Sequence, residues 1–388
     1  MRGVEGTIDF TLPRAAQQPD WPDPAAVERT RREIAVRPPL VPVCEVLSLR
    51  AQLAEVAQGR AHVLQAGDCA EDPAEHTEHH VLAKAALLDM LADTLAASTG
   101  TEVVRVGRIG GQFAKPRSSN TERVEGVELP VFRGHMVNDP AADLALRQPD
   151  PARVSFCLNV AETITARLAR RAGPRIWTSH EALLLDYEEP MVRTRHRETW
   201  LSSAHWPWIG ERTRQPDGAH VELLASVVNP VACKIGPSTD DRQILELCAR
   251  LDPLRSPGRL TLISRMGART VADRLPGLVE AVRAEGYPVI WLCDPMHGNA
   301  VVAPSGKKTR VLETLIEELR LFCWAVSDAG GVAGGVHLET TPDDVLECVA
   351  TVGDLGSAVL RHTTFCDPRL NPAQAVTLVS AWSRHMGD

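Results

Sequence analysis

Residues 289–299 read VIWLCDPMHGN. The run is apolar from Val289 to Cys293 and breaks at Asp294-Pro295 into Met, His, Gly and Asn. A strand with no polar alternation is one buried on both faces, as in a parallel sheet covered by helices. Asp-Pro and Gly-Asn are turn formers, so a carboxylate and an imidazole stand where the strand stops.

Seven further runs of the same character surround it: HVLQAG (62–67), EVVRVG (102–107), RIWTS (175–179), HWPWIG (205–210), VACKIG (231–236), LTLISR (260–265) and GGVHLE (334–339). Stretches with apolar residues at three- and four-residue spacing lie between most of them, as in DRQILELCARL and VADRLPGLVEAVRAEG, and these predict amphipathic helices. The weakest link is GAHVELLASVV, between the fourth and fifth runs.

Eight β-then-α units predict a (β/α)8 TIM barrel over residues 41–388, with an open doubly wound sheet as the alternative. No GxGxxG or Walker loop marks the phosphate turn such a sheet often carries. Residues 1–40, rich in proline and charge, predict an N-terminal arm that packs at a subunit interface of a homo-oligomer. Its alternating run Thr7–Leu12 predicts an edge strand.

The formal charge of −8 argues against a nucleic-acid surface and against attraction to anionic membranes. No apolar run reaches the roughly eighteen residues that would span a bilayer, and the polar N-terminus lacks a signal-peptide pattern. A cytoplasmic location is the expectation. The nine cysteines are odd in number and lack CxxC spacing, so most are expected to be reduced core thiols.

In a barrel the chemistry sits at the C-terminal ends of the strands. Two chemical groups stand after the eight runs and in the later turn TFCDPRLN. Cys69, His297, Glu339 and Asp367 form a mixed soft and hard donor set suited to a divalent transition metal, with Mn, Co, Fe and Zn all open. Arg108, Lys115, Arg117, Arg212, Lys234 and Arg265 are cations on one face of an acidic chain, which implies anionic ligands such as phosphates. Any one of these charges could be a solvated surface group; their joint placement is the argument.

These strand-end segments, GDCAE (67–71), GRIGGQFAKPRS (107–118), WIGERTRQPDGAH (208–220), NPVACKIGP (229–237), CDPMHGN (293–299) and CDPRLN (366–371), resemble the signature blocks of type II 3-deoxy-D-arabino-heptulosonate 7-phosphate (DAHP) synthases, in order, over roughly residues 40–388. The resemblance implies a metal-dependent barrel transferase that condenses phosphoenolpyruvate with erythrose 4-phosphate and water, releasing phosphate at the entry to the shikimate pathway.

It further implies Cys69, His297, Glu339 and Asp367 as ligands of one divalent metal, Mn or Co first and Zn or Fe as alternatives. Arg108, Glu211, Arg212, Lys234 and Arg265 resemble the phosphoenolpyruvate site, and Lys115, Arg117 and Ser118 the erythrose 4-phosphate site. Cys69, Lys234 and His297 are the expected catalytic residues, with Lys234 or a metal-held water as proton shuttle.

Several departures qualify the resemblance. His135 stands where the family usually has aspartate, which opens the alternative of a modified sugar phosphate, as in an aminoshikimate route. Only Ala172, Gly173 and Pro174 separate the helix ending near Arg171 from Arg175 at the third strand, where long members carry inserted helices, so weak feedback inhibition and service in secondary metabolism are expected. Cys366 adjoins Asp367, which raises the expectation of an oxidative bridge to Cys69. A chorismate mutase partner has no support in the sequence. A catalytically silent barrel would have lost a ligand or a phosphate cation, and none is lost.

Overall fold

The computed structural model describes residues 15–124 and 126–382, so the expected edge strand Thr7–Leu12 lies outside the described residues. Eight parallel strands close into a barrel: β1 (Ala61–Gly67), β2 (Glu102–Arg108), β3 (Ile176–Glu181), β4 (Trp206–Ile209), β5 (Val231–Ile235), β6 (Leu260–Ser264), β7 (Ile290–Cys293) and β8 (Val332–Glu339). Each falls on one of the eight runs. Sequential neighbours pair throughout, and β1 closes the ring on β8. The open-sheet alternative is thereby excluded.

The core has two layers. Inside the barrel, Val63, Val106, Trp206, Trp208, Ile263 and Leu292 pack together, and Leu49, Leu53 and Val56 of helix Val43–Ala57 close the N-terminal mouth against them. Outside, the helices lay their apolar stripes on the strands. The principal helices are Glu78–Thr99, Ala152–Arg170, Asp241–Leu251, Val271–Ala284 and Leu312–Asp328. The weak link after β4 holds only the seven-residue helix Ala219–Ala225.

The register brings the strand ends level. Gly67 is paired with Glu339 on one side and Arg108 on the other, so the residues after β1 emerge between that carboxylate and that guanidinium. Gly67 has φ +148°, and a Cβ there would stand 2.6 Å from the Arg108 carbonyl oxygen, which explains the glycine at the start of GDCAE.

Within the arm, helix Pro24–Ala35 lies against this chain's own barrel. It buries Ile34, and Arg31 bonds Asp186 at 3.0 Å and Glu189 at 2.6 Å. Just before it, Gln17 accepts from the backbone N–H of Arg117 at 2.8 Å, so the arm reaches the face of the barrel that carries the strand ends. No described helix is long and apolar enough to cross a membrane.

Candidate active site

A cleft of ≈ 250 Å³ opens at the C-terminal face, and its walls carry most of the residues singled out above. Arg108, Glu211, Arg212, Lys234 and Arg265 line one part. Lys115, Arg117 and Ser118 line another, with His297, Glu339 and Asp367 between them. Cys69 lies just beneath, fully buried.

The donor atoms of Cys69, Glu339 and Asp367 lie within 4.8 Å of one another. His297 joins them through Nε2, 3.3 Å from Oε1 of Glu339. Its other ring nitrogen, Nδ1, is 2.7 Å from Oδ2 of Asp294, which fixes the tautomer and leaves Nε2 on Glu339, so His297 stands at the edge of the three-residue donor group rather than within it. Burial of Glu339 and Asp294 opposes ionisation, yet His297 with Lys115 and Arg310 for the first, and His297 with Lys234 for the second, hold both carboxyls well below the usual range. Lys115 comes first in keeping Asp367 ionised, against burial. A thiol, an imidazole and two carboxylates held as anions suit a divalent transition metal, so the residues fit the group that the sequence implies.

Lys115 is nearer this cluster than its sequence assignment suggests. Its Nζ lies 2.5 Å from Sγ of Cys69 and 3.1 Å from Oδ2 of Asp367, so it offsets the negative charge of this donor group as well as lining the cleft. Burial pushes the Cys69 thiol up, and binding of a metal there must displace a proton. Cys69 and Cys366 are both free and share a hydrogen bond.

The cleft's cations are placed by a polar chain through the barrel. Gln65 Nε2 donates to Ser179 Oγ at 2.7 Å, Gln65 Oε1 pairs with Nδ1 of His337 at 2.6 Å, and Nε2 of His337 accepts from Arg108 at 3.0 Å. Burial first, then Lys234 and Arg108, hold His337 neutral, so it can accept from that guanidinium. Arg108 also reaches Oε1 of Glu339 at 3.3 Å. Lys234 donates to Asp294 at 2.8 Å, and its burial lowers its pKa. The guanidinium of Arg108 lies 5.3 Å from the Trp208 ring centroid and the ammonium of Lys234 6.0 Å from it.

Three participants were not assigned from the sequence. Glu181 ends β3 and lines the cleft; its Oε1 is buried without a hydrogen-bond partner, and burial raises its pKa. The space beside it exists because residue 210 is glycine, whose Cβ would stand 2.0 Å from that oxygen. Asp294 does more than end its strand, since it holds both His297 and Lys234. Arg310, on the hairpin Ala300–Val302/Lys308–Arg310, bonds Oε2 of Glu339 at 2.9 Å. His135, by contrast, stands outside the cleft lining, packed edge-on to Phe132 and Phe365 with centroids 5.2 and 4.7 Å away.

A Cys–Glu–Asp donor group beside a cationic cleft at the strand ends of a (β/α)8 barrel suits an enzyme that acts on anionic substrates. The chain belongs to the class-II DAHP synthase family: it matches the Class-II DAHP synthetase family over residues 9–171 and 157–382. It is 54% identical to a probable phospho-2-dehydro-3-deoxyheptonate aldolase of Pseudomonas fluorescens over 377 residues, covering 95% of this chain and 94% of that one. With the Streptomyces coelicolor phospho-2-dehydro-3-deoxyheptonate aldolase the identity is 39%, over 94% of this chain and 93% of the relative. Among solved structures, the corresponding aldolase of Francisella tularensis superposes with TM-score 0.53 at 14% identity, over 92% of this chain and 97% of that one, a likeness of fold. Its relatives make this chain a transferase with DAHP synthase activity, acting at the first step of the shikimate pathway.

Proposed function

We propose that the chain performs this condensation with a divalent metal held by Cys69, His297, Glu339 and Asp367, phosphoenolpyruvate among Arg108, Glu211, Arg212, Lys234 and Arg265, and erythrose 4-phosphate against Lys115, Arg117 and Ser118. The observation that carries it is the meeting of these residues, drawn from separate strand ends and loops, around one cleft, with Cys69 buried just beneath it.

When bound, the metal supplies Lewis-acid polarisation of the aldehyde. The arginines hold phosphoenolpyruvate so that its C3 faces the aldehyde carbon, a gain of proximity and orientation. Bond formation between these carbons leaves C2 of the enolpyruvate electron-poor, and water adds there. The water proton passes to Glu181, which lines the cleft with one carboxylate oxygen unpartnered and whose raised pKa suits it to the task, while the former aldehyde oxygen takes up a proton to become a hydroxyl of the product. Collapse of the resulting phosphohemiketal breaks the C2–O bond to phosphate, and Lys234 and Arg108 balance the charge of the departing group. One molecule each of phosphoenolpyruvate, aldehyde and water becomes DAHP and inorganic phosphate.

The link from helix Ala152–Arg170 to β3 spans only residues 171–175, which supports an enzyme under weak aromatic feedback and suits secondary metabolism. His135, the departure that raises a modified aldehyde, lies outside the cleft lining. The test is to strip the protein of metal, supply both substrates, and follow loss of the enolpyruvate absorbance as Mn, Co or Zn is added. Turnover should need metal and both substrates; phosphate release without the aldehyde would overturn the condensation.

A further inference from the structure

Arg310 is 1% exposed and belongs to no barrel strand; it sits on the hairpin inside the connection after β7. Its guanidinium makes three contacts, and each falls on a candidate metal ligand or its direct neighbour. Nη2 donates to Oε2 of Glu339 at 2.9 Å. Nε donates at 2.5 Å to the carbonyl oxygen of Met296, the residue before His297. Nη1 donates to the carbonyl oxygen of Pro368, the residue after Asp367.

Three segments far apart in the chain therefore meet on one planar group. A guanidinium presents its donors in a rigid fork, so it fixes angles as well as separations, which a single ammonium cannot do. Such a device is needed most for Asp367, because the chain from Ser357 to Arg369 contains neither helix nor strand to hold it. A second buried arginine secures the remaining ligand: Arg369 bonds Asp68, next to Cys69, at 2.6 Å and Glu347 at 3.0 Å. Two of the three acceptors on Arg310 are backbone carbonyls, a pattern that orders loops and leaves little of the group for a substrate phosphate.

We propose that Arg310 is a positioning residue for the metal site, setting the mutual placement of His297, Glu339 and Asp367 and thereby the affinity for the ion. This rests on the reading of those three residues as ligands. Outer groups that orient metal ligands typically contribute 10- to 100-fold in affinity.

The test compares the intact chain with Arg310→Lys, which keeps the charge and loses the fork, and with Arg310→Gln. Cobalt is titrated into metal-free, reduced protein and followed by the thiolate-to-cobalt absorption that Cys69 gives. Phosphoenolpyruvate binding is measured separately, without metal, by tryptophan fluorescence. Cobalt affinity should fall by roughly 10- to 100-fold in Arg310→Lys while phosphoenolpyruvate affinity holds. Should the Gln variant fail to fold, the Lys variant alone decides. Unchanged cobalt affinity, or a loss confined to phosphoenolpyruvate, would overturn the proposal. Absence of the thiolate band in the unsubstituted chain would instead remove the ligand assignment itself.

Discussion

Nδ1 of His297 lies 2.7 Å from Oδ2 of Asp294, and the same oxygen lies 2.8 Å from Nζ of Lys234. One buried carboxylate thus orients a candidate metal ligand and anchors a candidate phosphate cation, which couples the two halves of the site. Asp294→Asn should weaken metal binding by roughly 10- to 100-fold. Because it also leaves Lys234 without its anion, phosphoenolpyruvate affinity should change in the same variant, and the two effects can be read by separate titrations.

Arg265 lines the cleft and reaches the His297 carbonyl at 3.5 Å, so most of its donors are free for an anion. Arg265→Lys keeps the charge and loses the fork; KM for phosphoenolpyruvate should rise about tenfold with kcat less affected, since hydrogen bonds to a charged partner contribute about 1.5–3 kcal/mol. Steady-state kinetics at saturating aldehyde would show it.

Glu181 is assigned the water proton. Glu181→Gln should lower kcat by about 10²-fold and flatten the pH profile of kcat, leaving KM for phosphoenolpyruvate nearly unchanged. A variant with full kcat would place the proton on Lys234.

Eight strands and eleven of the twelve candidate site residues on the cleft wall were legible because a barrel ties function to the residues just after each apolar run. Helix Pro24–Ala35 was less legible, since its single apolar stripe, ending in Ile34, is embedded among prolines and charges that read as an arm. Arg310 escapes for a different reason: it lies in a short hairpin, and nothing in KKTR distinguishes a buried guanidinium from a solvated one. The orphan oxygen of Glu181 depends on the absence of a Cβ at Gly210, a relation between two strands that no local pattern carries.

Glu318 offers a pH dependence outside the ligand set. It accepts from the N–H of Gly267 at 2.8 Å and from the side chain of Asn299, which tie the loops after β6 and β7 together. Burial outweighs these bonds and pushes its carboxyl up to about 8. A folded value above the unfolded 4.5 means the folded state holds the extra proton, so stability falls as pH rises from 4.5 toward about 8. Glu318→Gln should lose that slope in melting temperature, whatever its absolute stability.

The central claim is that four residues from distant loops bind one ion. Crystals grown with Mn or Co and measured on either side of the metal absorption edge test it most directly. The account predicts a single anomalous peak about 2.0–2.3 Å from Sγ of Cys69, Nε2 of His297 and a carboxylate oxygen of each of Glu339 and Asp367. A protein that turns over both substrates with no metal peak among these atoms, or with its peak elsewhere, would contradict it.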